Sequence, residues 1–201
     1  MSRRQLLAAA VLAGPAVLKA PRPDSTRPHT TIDEITKELR GSGLEGWPLV
    51  DAAIVAVNAA FDHHSLWHLW ESPRLAVANG RGWSGQYNQA LARVLRDLGF
   101  DVEVVHAARV RGLGRNPWWQ AGHTWARVIH DGRRLEVCAS RPTNLAGRVP
   151  FVAMSEVRPV HPWTRASVSA ALAPVVALQA WRQVLGASQP RWVYRRFDEE
   201  L

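Results

Sequence analysis

The stretch formed by residues 84–98 constrains the fold most, because it predicts a long amphipathic helix with defined neighbours. Its apolar residues recur at helical spacing, at Leu91, Val94, Leu95 and Leu98. Gly99 supplies a helix terminator, and residues 100–110 follow directly as a strand-like run. We therefore expect this helix to lie against a sheet that begins with the next residues of the chain.

Two further strands are predicted on either side of the dipeptide Asp131-Gly132, which is a strong signal for a tight hairpin turn. The first strand covers residues 123–130 and the second covers residues 134–138. Because side chains alternate along a strand, His123 and Trp125 share one face of the first strand. By the same period Glu136 and Cys138 share a face of the second.

Helical patterns flank this central region on both sides. Residues 31–41 begin with Thr30 or Thr31 as a candidate cap, residues 48–61 carry a small apolar face, and residues 167–185 form a late helix that Pro174 could bend or split. The order of helices followed by antiparallel strands predicts an α+β fold rather than alternating βαβ units. A small all-helical binding module is the competing fold class.

The length and composition restrict the classes of protein that fit. A chain of 201 residues suits one domain, which we place at residues 31–201 with its core at about 73–142, after an apolar segment and linker at 1–30. The net charge of +8 permits acidic partners, but no nucleic-acid-binding signature accompanies it, so we expect no nucleic-acid partner. The single cysteine, Cys138, excludes an intramolecular disulfide and a multi-cysteine metal site, and no cofactor motif is present.

The first twenty residues allow two interpretations. Arg3 and Arg4 precede an apolar run that ends before Ala20, which is similar to a twin-arginine export signal. The run is too short to span a bilayer. A terminal helix that docks on the domain or contacts a membrane surface explains the same residues. Lys19 beside the cleavage point favours a cytoplasmic protein, with export as the alternative.

The start of the central helix is where the sequence predicts chemistry. Unpaired backbone N–H groups and the helix dipole stabilise an anionic nucleophile at a helix N-terminus, and Ser84 has that location. A base must then come from a neighbouring strand and a further residue must orient it. His123 can supply the base, and either Glu136 or Cys138 can lie beside it.

The order of these motifs resembles the transglutaminase-like superfamily within the papain-like cysteine-peptidase fold. The resemblance is carried by "GWSGQYN", the helix ending in "LRDLGF", "GHTW" and the "DG" hairpin, over about residues 73–142. The stretch "GWSGQYN" is also similar to arylamine N-acetyltransferases. The resemblance implies a nucleophilic cysteine where this chain has Ser84, a histidine at His123, and an aspartate where this chain has Cys138.

Two of the three implied catalytic positions therefore depart from the family, and this sets the functional hypotheses. The first is an inactive or altered member that keeps an aromatic cleft for a small molecule or peptide. The second is an active acyltransferase or amide hydrolase that uses Ser84, His123 and Glu136. Because ten tryptophans are present, we expect an apolar cleft whose ligand contacts come from Trp83, Gln86, Trp119 and Trp125.

Simpler structural roles stand beside each of these residues. Ser84 can be only a helix N-cap, His123 a hydrogen-bonded sheet histidine, and Cys138 a small buried apolar residue. Gln86 and Asn88 can orient a substrate or belong to a solvated first helical turn.

A second cluster, "FDHHSLWHLWES", places His64 and His68 four residues apart. That spacing puts both side chains on one helix face and suits zinc when a third ligand arrives, with Asp62, His63 and the distant His161 as candidates. We favour histidines that line a wall near the cleft or pack with Trp67 and Trp70 over a metal site, and predict no metal. The sequence does not determine the oligomeric state.

Overall fold

The computed structural model of the chain describes residues 30–113, 119–188 and 190–197, without the side chains of residues 119–121, 162, 164 and 165. The helices are α1 (Ile32–Gly41), α2 (Gly46–Ala59), α3 (Pro73–Ala78), α4 (Ser84–Asp97) and α5 (Pro162–Val184). The strands are β1 (His63–Ser65), β2 (Arg81–Gly82), β3 (Asp101–Gly112), β4 (Trp119–His130), β5 (Arg133–Val137), β6 (Phe151–Ala153), β7 (Val157–Pro159) and β8 (Tyr194–Arg196). The fold class is α+β, as predicted.

The larger sheet has the order β5-β4-β3-β6, and β7 also pairs with β3. All its pairings are antiparallel, with Val105 opposite Trp125 and Arg127 opposite Glu136. A smaller sheet has the order β2-β1-β8, in which β1 and β2 run parallel. The sequence pattern gave no indication of the short strands of this second sheet.

The predicted hairpin forms between β4 and β5. Asp131 and Gly132 both have positive φ, 49° and 69°, which is the backbone conformation that a two-residue hairpin turn requires. The predicted second strand extended to Cys138, whereas β5 ends at Val137. Cys138 therefore lies just beyond the strand, where the backbone leaves the sheet.

Local sequence signals also explain the flanking helices. Thr31 and Glu34 form a reciprocal cap: the Glu34 N–H donates to Thr31 Oγ1 and the Thr31 N–H donates to the Glu34 carboxylate. The late helix α5 is not split by Pro174 but continues through it from Pro162 to Val184. Among the residues that the structure describes, no helix is long and apolar enough to cross a membrane.

The main hydrophobic core surrounds α4, which lies between α1, α2 and α3 on one side and β3 and β4 on the other. A second, smaller cluster joins α5 and the residue before β8 to the start of α4. Its buried members are Leu66, Trp67, Leu69, Trp83, Val176, Ala180 and Val193. The start of α4, where the sequence predicts chemistry, thus lies under α5. Residues 1–29, with the linker and the apolar segment for which export was the alternative interpretation, lie outside the described residues.

Candidate functional site

The start of α4 differs from the sequence prediction in one respect. Trp83, not Ser84, occupies the N-cap position, and its backbone N–H donates to Gln86 Oε1 at 3.1 Å. Ser84 is the first helical residue and is buried, so the interpretation of Ser84 as the N-cap is wrong. Among the described residues, the structure shows no hydrogen bond between the Ser84 hydroxyl and His123.

The side chain of Gln86 hydrogen-bonds to backbone groups of the protein. Its Nε2 donates to the backbone oxygens of His68 at 2.6 Å and Glu71 at 2.9 Å, while its Oε1 accepts from Trp83. The side chain is 1% exposed. These contacts support a structural role for Gln86, while its substrate contact stays a prediction; the alternative of a solvated first turn is wrong, because Gln86 and Asn88 are buried.

Asn88 joins α4 to the sheet and to the segment after β5. Its Nδ2 donates to the Thr124 carbonyl at 2.7 Å, and its Oδ1 accepts the Ala139 N–H at 2.9 Å. The same Nδ2 lies 3.4 Å from Cys138 Sγ. One buried amide therefore holds the helix, β4 and the Cys138 segment together, which is a structural role and not a substrate contact.

His123 has Cys138 as its hydrogen-bonding partner. His123 Nε2 lies 3.5 Å from Cys138 Sγ, and the thiol also lies 3.2 Å from Ser140 Oγ. Both side chains are buried. The structure thus decides between the two orienting candidates in favour of Cys138, the position where the resemblance implies an aspartate.

Glu136 does not reach His123, because its carboxylate has two other partners. One oxygen accepts from the Trp125 indole N–H, and the other accepts from Arg127 Nε at 2.7 Å. Arg127 also lies near Glu103, which pairs with Arg134. The hypothesis that Glu136 orients His123 is therefore not supported: the strand register places Glu136 beside Trp125 and Arg127.

Burial keeps both members of the His123–Cys138 pair neutral. It lowers the pKa of His123 to about 3, with a further contribution from nearby His106, and it raises the pKa of the Cys138 thiol. A thiolate–imidazolium pair requires the opposite shifts, as in active cysteine enzymes. The pair is thus a neutral hydrogen-bonded contact and not an activated nucleophile.

Aromatic side chains enclose this pair. The His123 ring stacks on Trp125 with centroids 6.1 Å apart and meets the edge of Phe151 at 4.6 Å. Trp125 is buried beside the pair, whereas Trp83 is buried in the smaller hydrophobic cluster at the start of α4. The side chain of Trp119, the fourth predicted ligand contact, lies outside the described residues.

A small cavity lies at the start of α4, under the first turns of α5. It is lined by Trp83, Gly85, Gln89, His106, Thr124, Val160 and Val168. Its volume is about 10 Å³, close to what one water molecule needs. Neither Ser84 nor His123 lines it, so the predicted nucleophile and base do not share this space.

The histidine cluster does not form the predicted helix face. His64 lies in β1 and His68 lies in the turn that follows, where its Nδ1 is 3.0 Å from Ser65 Oγ. Burial lowers the pKa of His64 and lowers that of His68 to about 4. No group of three or more potential metal ligands occurs among the residues the structure describes.

Sequence reasoning missed the polar groups that build the site. His106 lines the cavity and contacts Thr124 Oγ1 at 3.1 Å, and Asn144 donates to the Cys138 carbonyl at 2.8 Å. The one signal for His106 was a polar residue within the apolar strand "VEVVHAARV". No local pattern identifies Asn144, because its role depends on a loop returning to the sheet.

Comparison with known proteins gives no relationship that would assign a function to this site. No protein-family model matches the chain, and no curated protein matches it significantly.

Proposed function

We propose that the chain is a transglutaminase-like domain of papain-like fold that has lost covalent catalysis and acts as a binding domain. The observation that carries the proposal is the hydrogen bond from His123 to the buried, neutral thiol of Cys138. The base position of the family is kept, but a carboxylate beside it is replaced by a group that cannot stabilise an imidazolium.

The electrostatics support loss of catalysis. A serine nucleophile needs a base that accepts its proton during attack and an anion that stabilises the resulting cation. His123 is buried with a pKa lowered to about 3, and Glu136 is held by Trp125 and Arg127. Protonating His123 here places an uncompensated charge in an apolar environment, which is costly.

The ligand of such a domain is a small molecule or peptide with an apolar or aromatic group. The cavity under α5 admits only one water, so a larger group requires Val160 and Val168 to move away from Trp83. Val168 belongs to the small cluster that holds α5 in place. Ligand binding is therefore coupled to displacement of the first turns of α5.

The activity test uses a fluorophosphonate probe with the whole chain, and mass spectrometry to find the labelled peptide. We expect no adduct at Ser84 at any pH at which the protein stays folded. An adduct at Ser84 that disappears in His123→Ala would reject the proposal and establish the active serine enzyme instead.

The family relationship is tested by rebuilding the implied residues. The double variant Ser84→Cys, Cys138→Asp restores the family's nucleophile and orienting acid at the two positions where the resemblance implies them. We expect iodoacetamide to alkylate the thiol introduced at position 84 faster in this variant than in Ser84→Cys alone, and His123→Ala to abolish the gain. Equal rates in the two variants would mean that these positions do not form a triad, and would reject the resemblance.

A further inference from the structure

Helix α5 has two different faces. Its inner face packs on the start of α4 and the turn after β1 through Leu172, Val176 and Ala180. Ser169 on the same face donates from Oγ to the Leu69 carbonyl at 3.4 Å. The spacing of these residues by three and four places them on one side of the helix, which leaves the opposite side facing outward.

The outer face is apolar and exposed along the whole helix. Trp163 is 85% exposed, Leu178 is 60% exposed and Leu185, the C-cap, is 82% exposed. Helical spacing places these three residues on one side together with exposed Ala170, Pro174 and Trp181, and with one polar residue, exposed Ser167. The stripe is about 33 Å long at 1.5 Å per residue, and large exposed apolar surfaces of this kind mark interaction sites.

The charge of this region is one-sided. From residue 157 to residue 197 the chain contains six arginines and no aspartate, glutamate or lysine. Arg182 is exposed beside Trp181, and Arg191 is exposed beside the half-exposed Trp192. The acidic residues Glu156 and Asp198–Glu200 lie just outside this range, and Arg158 pairs with Glu156. An apolar stripe with tryptophan and leucine that has arginines beside it is complementary to a surface that is both apolar and anionic.

We propose that the outer face of α5 docks on an anionic lipid bilayer, with the helix axis in the plane of the membrane. Tryptophan and arginine side chains favour the boundary between headgroups and acyl chains, where the ring is apolar and the cation meets phosphate. A stripe along one side of a helix fits binding at the membrane surface. This inference does not depend on the proposed function.

The test is flotation of the full chain with vesicles of phosphatidylcholine, with and without about 30 mol% phosphatidylglycerol. We expect binding to the anionic vesicles, weakening by about tenfold when the salt concentration is raised from about 50 to about 300 mM, and little binding to phosphatidylcholine alone. Equal binding to both vesicle types, or no binding to the anionic ones, would overturn the proposal.

Substitutions on the helix locate the contact. The triple variant Leu178→Gln, Trp181→Gln, Leu185→Gln should bind at least about tenfold more weakly, since it removes the apolar groups that enter the interface. Val55→Gln, at an exposed apolar residue of α2 that is 45% exposed, is the matched control and should bind like the unaltered chain. Circular dichroism confirms that each variant is folded.

Two alternatives, a second copy on the stripe and membrane contact by the N-terminal segment, give distinct results. If a second copy covers it, sedimentation shows a dimer without vesicles that the triple variant converts to a monomer, and the proposal fails. If the apolar N-terminal segment carries the membrane contact, replacing Leu6, Leu7, Val11 and Leu12 by serine abolishes vesicle binding while the triple variant retains it, which also overturns the proposal.

Discussion

Helices α4 and α5 are attached to the protein by different forces. Buried amides of α4 are fully hydrogen-bonded: Gln86 has three backbone partners and Asn88 joins two other segments. On α5, Gln183 Oε1 is buried without a hydrogen-bond partner in the described structure, and Ser169 makes one long hydrogen bond, 3.4 Å, to the Leu69 carbonyl. The rest of its packing is through a few apolar residues. Directional hydrogen bonds define the position of α4, whereas α5 is placed by contacts that tolerate displacement.

Of the substitutions that test this comparison, replacing Asn88 should lower the free energy of unfolding most. Asn88→Leu leaves the Thr124 carbonyl and the Ala139 N–H buried without their partner, so we expect the free energy of unfolding to fall by about 3–5 kcal/mol. Asn79→Ala, which removes one partly buried amide contact at the end of α3, should cost less than about 1 kcal/mol. Urea denaturation of both variants measures the difference, and a cost below that of the control would contradict the role of Asn88.

The same substitution in the two helices tests the comparison directly. Gln86→Leu removes three hydrogen bonds and should destabilise the protein by about 2–4 kcal/mol. Gln183→Leu removes an unpartnered buried oxygen and should be neutral or stabilising by up to about 1 kcal/mol. Equal losses in the two variants, measured by chemical denaturation, would show that α5 is held by polar contacts as firmly as α4.

Replacing the glycine in the first turn of α4 should destabilise the protein less. A Cβ added at Gly85 lies 2.8 Å from the buried Trp83 ring, so Gly85→Ala should cost about 1–3 kcal/mol and shift the near-ultraviolet signal of tryptophan. Gly41→Ala at the end of α1 meets no atom within 4 Å and is the matched control. It should be neutral or slightly stabilising because alanine favours the helix. Unchanged tryptophan signal in Gly85→Ala would mean that the ring moves without cost.

The pH dependence of stability reports the burial of His123. Its folded pKa of about 3 lies below its unfolded value, so the unfolded chain binds a proton that the folded protein does not. The contribution of neutral His123 to the free energy of unfolding is fully present above about pH 6.5. It falls by about 1.4 kcal/mol for each pH unit below that, down to about pH 3. His123→Phe should reduce the slope between about pH 6 and about pH 4.5 by that amount. Parallel curves for the two proteins would place His123 in contact with water.

The sequence predicted the elements whose signals are local. The spacing of Leu91, Val94 and Leu95 predicted helix α4. The cap residues at the start of residues 31–41 predicted where α1 begins, and Asp131-Gly132 predicted the hairpin turn. These patterns depend on residues within one or two turns, where backbone geometry and capping act without the rest of the chain. The α+β class followed from their order.

The candidate site required contacts between distant segments. The sequence identified His123 and Cys138, but the choice between Cys138 and Glu136 depended on the strand register that gives Glu136 to Trp125 and Arg127. Gln86 looked like a ligand contact because its partners, the backbone oxygens of residues 68 and 71, lie in a loop that the sequence pattern does not place.

What the sequence determined by itself was therefore periodicity, caps and turns, together with the one-sided charge of residues 157–197. Only the tertiary structure decided which polar groups are buried, which side chains they satisfy, and that α5 covers the start of α4 while its other face stays bare. The physical reason is that desolvation and hydrogen-bond pairing belong to the assembled core: a buried amide or histidine has no defined partner or pKa until segments far apart in the chain meet.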